Sequence, residues 1–339
     1  IAGATIAALG LLLWSPGLEN TQAQSPPSEA STSVKQSVSQ VPPLPVYSIF
    51  PPTVLENIEQ RARQQLWKVP EQKTWPMKPN GHPKVETERV DRLHHVVEGE
   101  SLRRIRNMWR TSRRELRQLN PDVDLQNLQE GQKLVVWRRN PRRYGVSYSA
   151  ASSRWGRLIH GEPLPTDENY EILFHHRTFG TYYAVSETQR VLNRLYEEYP
   201  DTHNLIIGDI SFRNGRKIYP HKSHRTGRDI DISYPRNDGP PPNFERFHYV
   251  RRDELDVEKT LLMVKEFVES GYVEYIFMDR WFQRMLRREA KEQGAPKAWL
   301  DKVFEYPRWG GDAIVKHESG HRNHMHVRFY CQPTDRRCR

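Results

Sequence analysis

The stretch HESGHRNHMHVRFYC, residues 317–331, holds four histidines within ten positions and supports two incompatible readings. In the first, His317, Glu318 and His321 form H-E-x-x-H, a helical pattern in which two imidazoles share a face as metal ligands and the glutamate acts as a base. In the second, His324 and His326 form H-x-H, which on a strand turns both imidazoles to one side and Met325 to the other. The helical reading sets Ser319 and Gly320 in mid-helix, where glycine costs about 1 kcal/mol relative to alanine, and it still needs a third ligand downstream. The strand reading is preferred, with His317 and Glu318 in a loop beside the cleft.

A partner for the H-x-H pair lies upstream in PHKSHRTGRDIDISY, residues 220–234. Ile230 and Ile232 alternate toward a core, which turns Asp229 and Asp231 to the opposite face of a strand. Gly227 permits a turn that brings His224 back to Asp231. Histidine and carboxylate are two ligands of a metal site, and His324 and His326 supply a further neutral imidazole and a general base. A His, Asp, His set keeps a fourth position for water, as hydrolytic zinc sites do.

The chain of 339 residues can hold two domains, and its net charge of +10 predicts attraction to polyanions or acidic surfaces. No stacking platform or recognition-helix motif accompanies that charge, so nucleic acid is not the expected partner. The apolar run IAGATIAALGLLLW suits the h-region of an export signal, with small residues Thr21 and Ala23 before a cleavage point at Gln24; an uncleaved anchor is the alternative. After cleavage no stable membrane span is expected. Residues 24–90 are rich in Pro, Ser and Gln and read as a linker, with VLENIEQRARQQLW as one helix within it. The two cysteines, Cys331 and Cys338, read as one disulfide in an oxidising compartment, a closure that contributes about 2–3 kcal/mol.

From residue 91 to about 140 the pattern is strand, helix, helix, strand: a short β-like start, Ser101 as an N-cap with Leu102, Ile105 and Trp109 at helical spacing, a second helix carrying Leu116 and Leu119, and KLVVW as a closing strand. HVVEGESL, NPDVDLQNL and EGQKLVV resemble a LysM domain in order and spacing. The resemblance implies binding to the N-acetylglucosamine chains of peptidoglycan or chitin. It carries the glycan groove onto Glu98, Gly99, Glu100 and Ser101, and onto Asn120, Pro121, Asp122, Val123, Asp124 and Leu125. The chain departs from the pattern at Arg106, and at Arg110 and Thr111, where Gly-Val commonly ends the first helix.

Residues 141–339 alternate β-like runs such as NLIIGDISF and YVEYIFM with helical stretches such as AVSETQRVLNRLYEEY and DVEKTLLMVKEFVESG, the mark of an α+β domain. HKSHRTGRDID, then WLDKV, then GHRNHMHVRFYC resemble the penicillin-insensitive murein endopeptidases, within the wider group of lysostaphin-type and D-Ala-D-Ala zinc peptidases. The resemblance implies an α+β fold with a central antiparallel sheet. It implies one zinc ion per chain on His224, Asp231 and His326, His324 as the catalytic histidine, and His321 as a further active-site histidine. His221 falls beside the first ligand and, with Asp229, is assigned to the surroundings of the ligands. GGDAIVKHES reads as an insertion, and Arg213, Arg216 and Arg328 as candidate partners of substrate carboxylates. The implied activity is hydrolysis of D-Ala–meso-diaminopimelate cross-bridges by an exported protein of the periplasm or cell envelope, with peptidoglycan as partner. A carboxypeptidase of the same fold and a non-catalytic wall-binding protein are the alternatives.

Overall fold

The computed structural model describes residues 66–73, 90–139, 147–333, 335, 337 and 338. The expected export signal and most of the linker, including nearly all of its anticipated helix, lie outside the described residues. No described helix is long and apolar enough to cross a membrane.

The small module runs β1 (Asp91–His95), α1 (Leu102–Trp109), α2 (Arg113–Leu119) and β2 (Lys133–Arg138), the anticipated order. Ser101 and Ser112 cap the two helices by accepting the amides of Arg104 and Glu115. The strands pair antiparallel, and Val96, Ile105, Trp109, Leu116, Leu125, Leu134 and Val136 fill the space between the layers. Asn120 ties α2 to β2, donating to the carbonyls of Leu116 and Val135 and accepting the Val135 amide.

The larger module adds β3 (Tyr148–Ala150), β4 (Arg157–Ile159), β5 (Glu162–Pro163), β6 (Tyr170–Ile172), a 3-10 turn (His175–Arg177), β7 (Phe179–Gly180), α3 (Tyr182–Glu198), β8 (Leu205–Ile207) and β9 (Asp229–Ser233). It continues through α4 (Val257–Ser270), β10 (Val273–Met278), α5 (Arg280–Glu292), α6 (Lys297–Val303), β11 (Val315–His317) and β12 (His324–Phe329). Its six-stranded sheet has the order β11-β10-β12-β9-β8-β6. The inner strands β10, β12, β9 and β8 pair antiparallel, whereas β11 and β6 join the edges in parallel, so the sheet is mixed rather than wholly antiparallel. Helices α3 to α6 bury their apolar faces against it, with Val191, Leu195, Val264, Phe267, Phe282, Leu286, Trp299 and Val303 in one core with the sheet residues Ile230, Ile232, Met325 and Val327.

Two stretches depart from expectation. GGDAIVKHES supplies an edge strand that takes in His317, expected in a loop, while Glu318 stays outside it: Gly310 and Gly311 turn the chain in left-handed conformations, and Ala313, Ile314 and Val315 are buried as β11 pairs with β10. Within the stretch read as linker, Trp67 packs edge-on against Trp299 at 4.6 Å and joins the core, and the Lys73 amide donates to Gly271. The disulfide between Cys331 and Cys338 forms as anticipated, just beyond β12.

The two modules meet through specific contacts. Trp137 packs with Leu158 and Phe179, Trp109 meets His175 edge-on at 4.9 Å, and buried Arg139 forks onto Glu162 at 2.6 Å. Arg213 reaches Glu115 of α2 at 2.7 Å.

Candidate active site

The antiparallel register of β9 and β12 sets His326 opposite Asp231 and Arg328 opposite Asp229, so alternate residues of both strands share one face. Met325, Val327, Ile230 and Ile232 take the other face, in the core. The loop before β9 then folds His224 over that polar face. His224 sits in a left-handed backbone (φ 59) and Gly227 (φ 71) completes the turn. There a side chain added to Gly227 would strike Leu158 and the Thr181 amide.

The polar atoms that converge are close. Nε2 of His224 lies 3.1 Å from Nδ1 of His326 and 3.3 Å from Oδ1 of Asp231, and the latter two are 2.9 Å apart. All three residues are buried. A looser group replaces His326 with His221, whose donor atom lies within 4.8 Å of those of His224 and Asp231. His221 already bonds Asp209 at 3.1 Å, so the tighter group is the better candidate for a shared cation.

Around this centre the orienting contacts are polar. The Nε2–H of His326 donates to Asp229 at 3.0 Å, and Asp229 in turn accepts from Arg328 at 2.7 Å and from the His224 amide. Burial works against the charge on Asp229 but is outweighed by the Arg328 guanidinium and the nearby imidazoles, which keep the carboxyl ionised. Burial also opposes charge on His326, yet the two aspartates hold its pKa up at about 9.

His324 stands at the rim. Its ring stacks on Phe247 (4.7 Å between centroids, 17° between planes), its Nδ1–H donates to Asn323 at 2.7 Å, and its Nε2 lies 3.7 Å from Asp231. Burial is the main cause of a pKa lowered to about 4, so its ring is neutral at pH 7 with a free acceptor nitrogen. His321 lies 4.9 Å away, ring to ring, with Nδ1–H directed at the carbonyls of Glu318 and Ser319. Chiefly through burial, its pKa is also lowered.

His221, His224, Asp229, Asp231, His321, His324 and His326 are therefore gathered in one place. His317 is not part of the group. It ends β11, its Nδ1 accepting the Arg280 amide, and Glu318 leads into a turn through Gly320, so H-E-x-x-H has no helix to act from. Arg213 and Arg328, candidates for substrate carboxylates, are committed to Glu115 and Asp229; Arg216 is exposed. In the small module, Glu98, Gly99, Pro121 and Asp122 are exposed, whereas Glu100 is buried against His94 and Asn120 and Leu125 hold the fold. Val123 is half-buried against the module core, and Asp124 caps the turn at Gln126.

Asp209, Phe247 and Asn323 were missed by sequence reasoning. Asp209 stands two residues beyond β8, its carbonyl accepting the Asp231 amide and its carboxylate held by His221 and Arg177. An acidic residue just after an apolar run was the available signal. Phe247 had none, because its contact depends on Gly208, where a Cβ would lie 2.6 Å from the Phe247 ring.

A buried carboxylate ringed by imidazoles at the polar face of a sheet defines a hydrolase-like centre, with groups to hold an ion and groups to move a proton. The family model for penicillin-insensitive murein endopeptidase matches residues 151–339, and the chain belongs to that family. A LysM domain model matches residues 94–137, and the search of curated proteins finds no match. The protein is thus a peptidoglycan hydrolase with a wall-binding module, a combination that fits the cell envelope or the space outside the cell.

Proposed function

We propose that this chain is a zinc-dependent endopeptidase that hydrolyses D-Ala–meso-diaminopimelate cross-bridges in the periplasm while its LysM module holds the glycan strand. The observation that carries the reading is the triangle of His224 Nε2, His326 Nδ1 and Asp231 Oδ1, with sides of 3.1, 2.9 and 3.3 Å. Tetrahedral zinc with bonds of about 2.0–2.1 Å spaces its ligand atoms about 3.3 Å apart, so the triangle fits that ion with small adjustment. Two imidazoles and one carboxylate also suit zinc's borderline preference and leave a fourth position open. When bound, zinc supplies Lewis-acid polarisation of the scissile carbonyl and acidifies water.

The protein's own groups do the rest. Asp229 takes the Nε2–H of His326, so on ion binding Nδ1 would give up its proton and serve as the ligand. His324, neutral and pinned by Asn323 and Phe247, takes the proton of the attacking water at Nε2 and returns it to the leaving amine. His321 commits its Nδ1–H to backbone carbonyls, so as a neutral ring it presents an acceptor that orients the water; it stabilises an oxyanion only when protonated. Glu98, Gly99, Ser101, Pro121, Asp122 and Asp124 are the exposed positions from which the LysM module would touch the glycan.

The test is mass spectrometry of cross-linked muropeptides after incubation with the protein, with chelator and with zinc restored. Conversion of dimers to monomers that stops with chelator and resumes with zinc supports the reading. Release of terminal D-Ala with cross-links intact would assign a carboxypeptidase instead. Wall binding without any cleavage would leave a non-catalytic wall-binding protein.

A further inference from the structure

A cavity of about 700 Å³ lies where the two modules meet, away from the histidine cluster, a volume suited to a small ligand. Its lining includes five arginines: Arg110 at the C-cap of α1, Arg114 in α2, Arg138 and Arg139 at the end of β2, and Arg213 from the peptidase. Three of these are matched, Arg138 by Asp91, Arg139 by Glu162 and Arg213 by Glu115. Arg110 and Arg114 have no acidic partner among the described residues, which leaves two of the five guanidinium groups unmatched there.

The backbone supplies a second, independent observation. Six described non-glycine residues have positive φ; one is His224 of the active site, and two, Arg110 (φ 48) and His160 (φ 54), line this cavity. A left-handed backbone is disfavoured for any residue with a Cβ, and strain of this kind is retained where surroundings or function require it. At Arg110 the backbone amide only closes α1 onto the Arg106 carbonyl, a task glycine performs without strain. The Arg110 side chain, by contrast, borders both this cavity and an adjoining one of about 590 Å³ that includes Arg103, Arg104 and His176. Seven arginines fall within residues 103–117, against a single acidic residue, Glu115, itself engaged by Arg213.

We infer that this intermodule cavity is a binding site for the carboxylates of a peptidoglycan stem peptide, with Arg110 and Arg114 as the recognising groups. The inference rests on the wall-hydrolase reading for its choice of anion. Free guanidinium groups match carboxylates in charge and in their paired donor geometry. Located between the wall-binding module and the peptidase, the site would hold an uncleaved stem while a neighbouring cross-bridge occupies the histidine cluster.

The experiment uses the zinc-loaded full chain and measures Kd for a disaccharide-tetrapeptide monomer with free carboxylates and for the same monomer amidated. Arg110→Gly is the informative variant, because it removes the charge while relieving the backbone. It is expected to raise Tm by about 2–4 °C and to weaken binding of the acidic monomer by about 3- to 10-fold. Arg114→Gln should weaken it similarly, and Arg288→Gln on the distant α5 surface should not. The amidated monomer should bind weakly to all of them. A stabilised Arg110→Gly protein with unchanged Kd, or equal binding of acidic and amidated monomers, overturns the site. So does tighter binding of a short DNA duplex through the same two arginines, which would reassign the cavity to nucleic acid. Cleavage of cross-linked dimers is followed in the same samples. Charge-independent binding with cleavage intact removes the cavity proposal alone, and charge-dependent binding without cleavage removes the hydrolase reading alone.

Discussion

Asp229 accepts the Nε2–H of His326 at 3.0 Å while the opposite nitrogen of the same ring lies 2.9 Å from Asp231. One imidazole thus links the two aspartates of a single strand face, and each has a different task. On the proposed reading Asp231 would be a ligand of the ion, and Asp229 would set which nitrogen of His326 is offered to it. Asp229→Asn keeps the volume but loses the charge that fixes the tautomer. Zinc affinity, measured by chelator competition, is expected to fall about 10- to 100-fold with the fold retained. An unchanged affinity would show that Asp229 serves only to neutralise Arg328.

His324 and Asp231 should separate on a metal assay. His324→Ala is expected to lower kcat by about 10²- to 10⁴-fold with zinc still bound at one per chain. Asp231→Ala should lose both metal and activity. Elemental analysis of purified variants, read beside dimer cleavage, distinguishes them, and loss of zinc from His324→Ala would move that residue into the ligand set.

Glu318→Ala tests the other parse of residues 317–321. Because His317 ends a strand and Glu318 enters a turn, cleavage should stay within about twofold of the parent, the range of ordinary surface substitutions. A collapse in kcat would restore glutamate as the base.

Between the modules, Arg139 and Glu162 are both buried and doubly hydrogen-bonded. Removing one partner leaves the other charge buried and unpaired. Glu162→Ala is expected to cost about 3–5 kcal/mol in denaturant unfolding, and the double variant with Arg139→Met clearly less. Equal losses would mean that the pair is hydrated.

His175 gives the interface a pH dependence. Burial, then the neighbouring His94 and His176, lowers its pKa to about 4 in the folded protein, whereas the unfolded value is about 6.5. Below pH 6.5 the unfolded chain binds the extra proton, so stability is lost as pH falls from about 6.5 toward 4 and does not change on this account at higher pH. The contribution is at most about 3 kcal/mol. Comparing Tm at pH 7.5 and pH 5 for the parent and His175→Phe should show a steeper acid loss in the parent. Parallel curves would assign the acid sensitivity elsewhere.

Much of this protein could be read from local pattern, because local pattern reports what a short segment must satisfy by itself. Alternation in DIDIS and HMHVRF settled which side chains share a strand face, and those two segments carry four of the seven gathered residues. The Ser101 cap and helical spacing marked the first LysM helix in the same way, and Leu116 and Leu119 the second. Pairing across the chain is set by packing, which no short window contains. Only the tertiary structure brought Asp229 onto the far nitrogen of His326 and joined Asp209 to His221. The folded chain likewise turned GGDAIVKHES into an edge strand, because Ile314 and Val315 find a groove beside β10 that exists only once the sheet has formed. The same holds for the cavity between the modules, whose arginines look like solvated surface charge along the sequence and converge only when the LysM module docks through Trp137, Trp109 and Arg139.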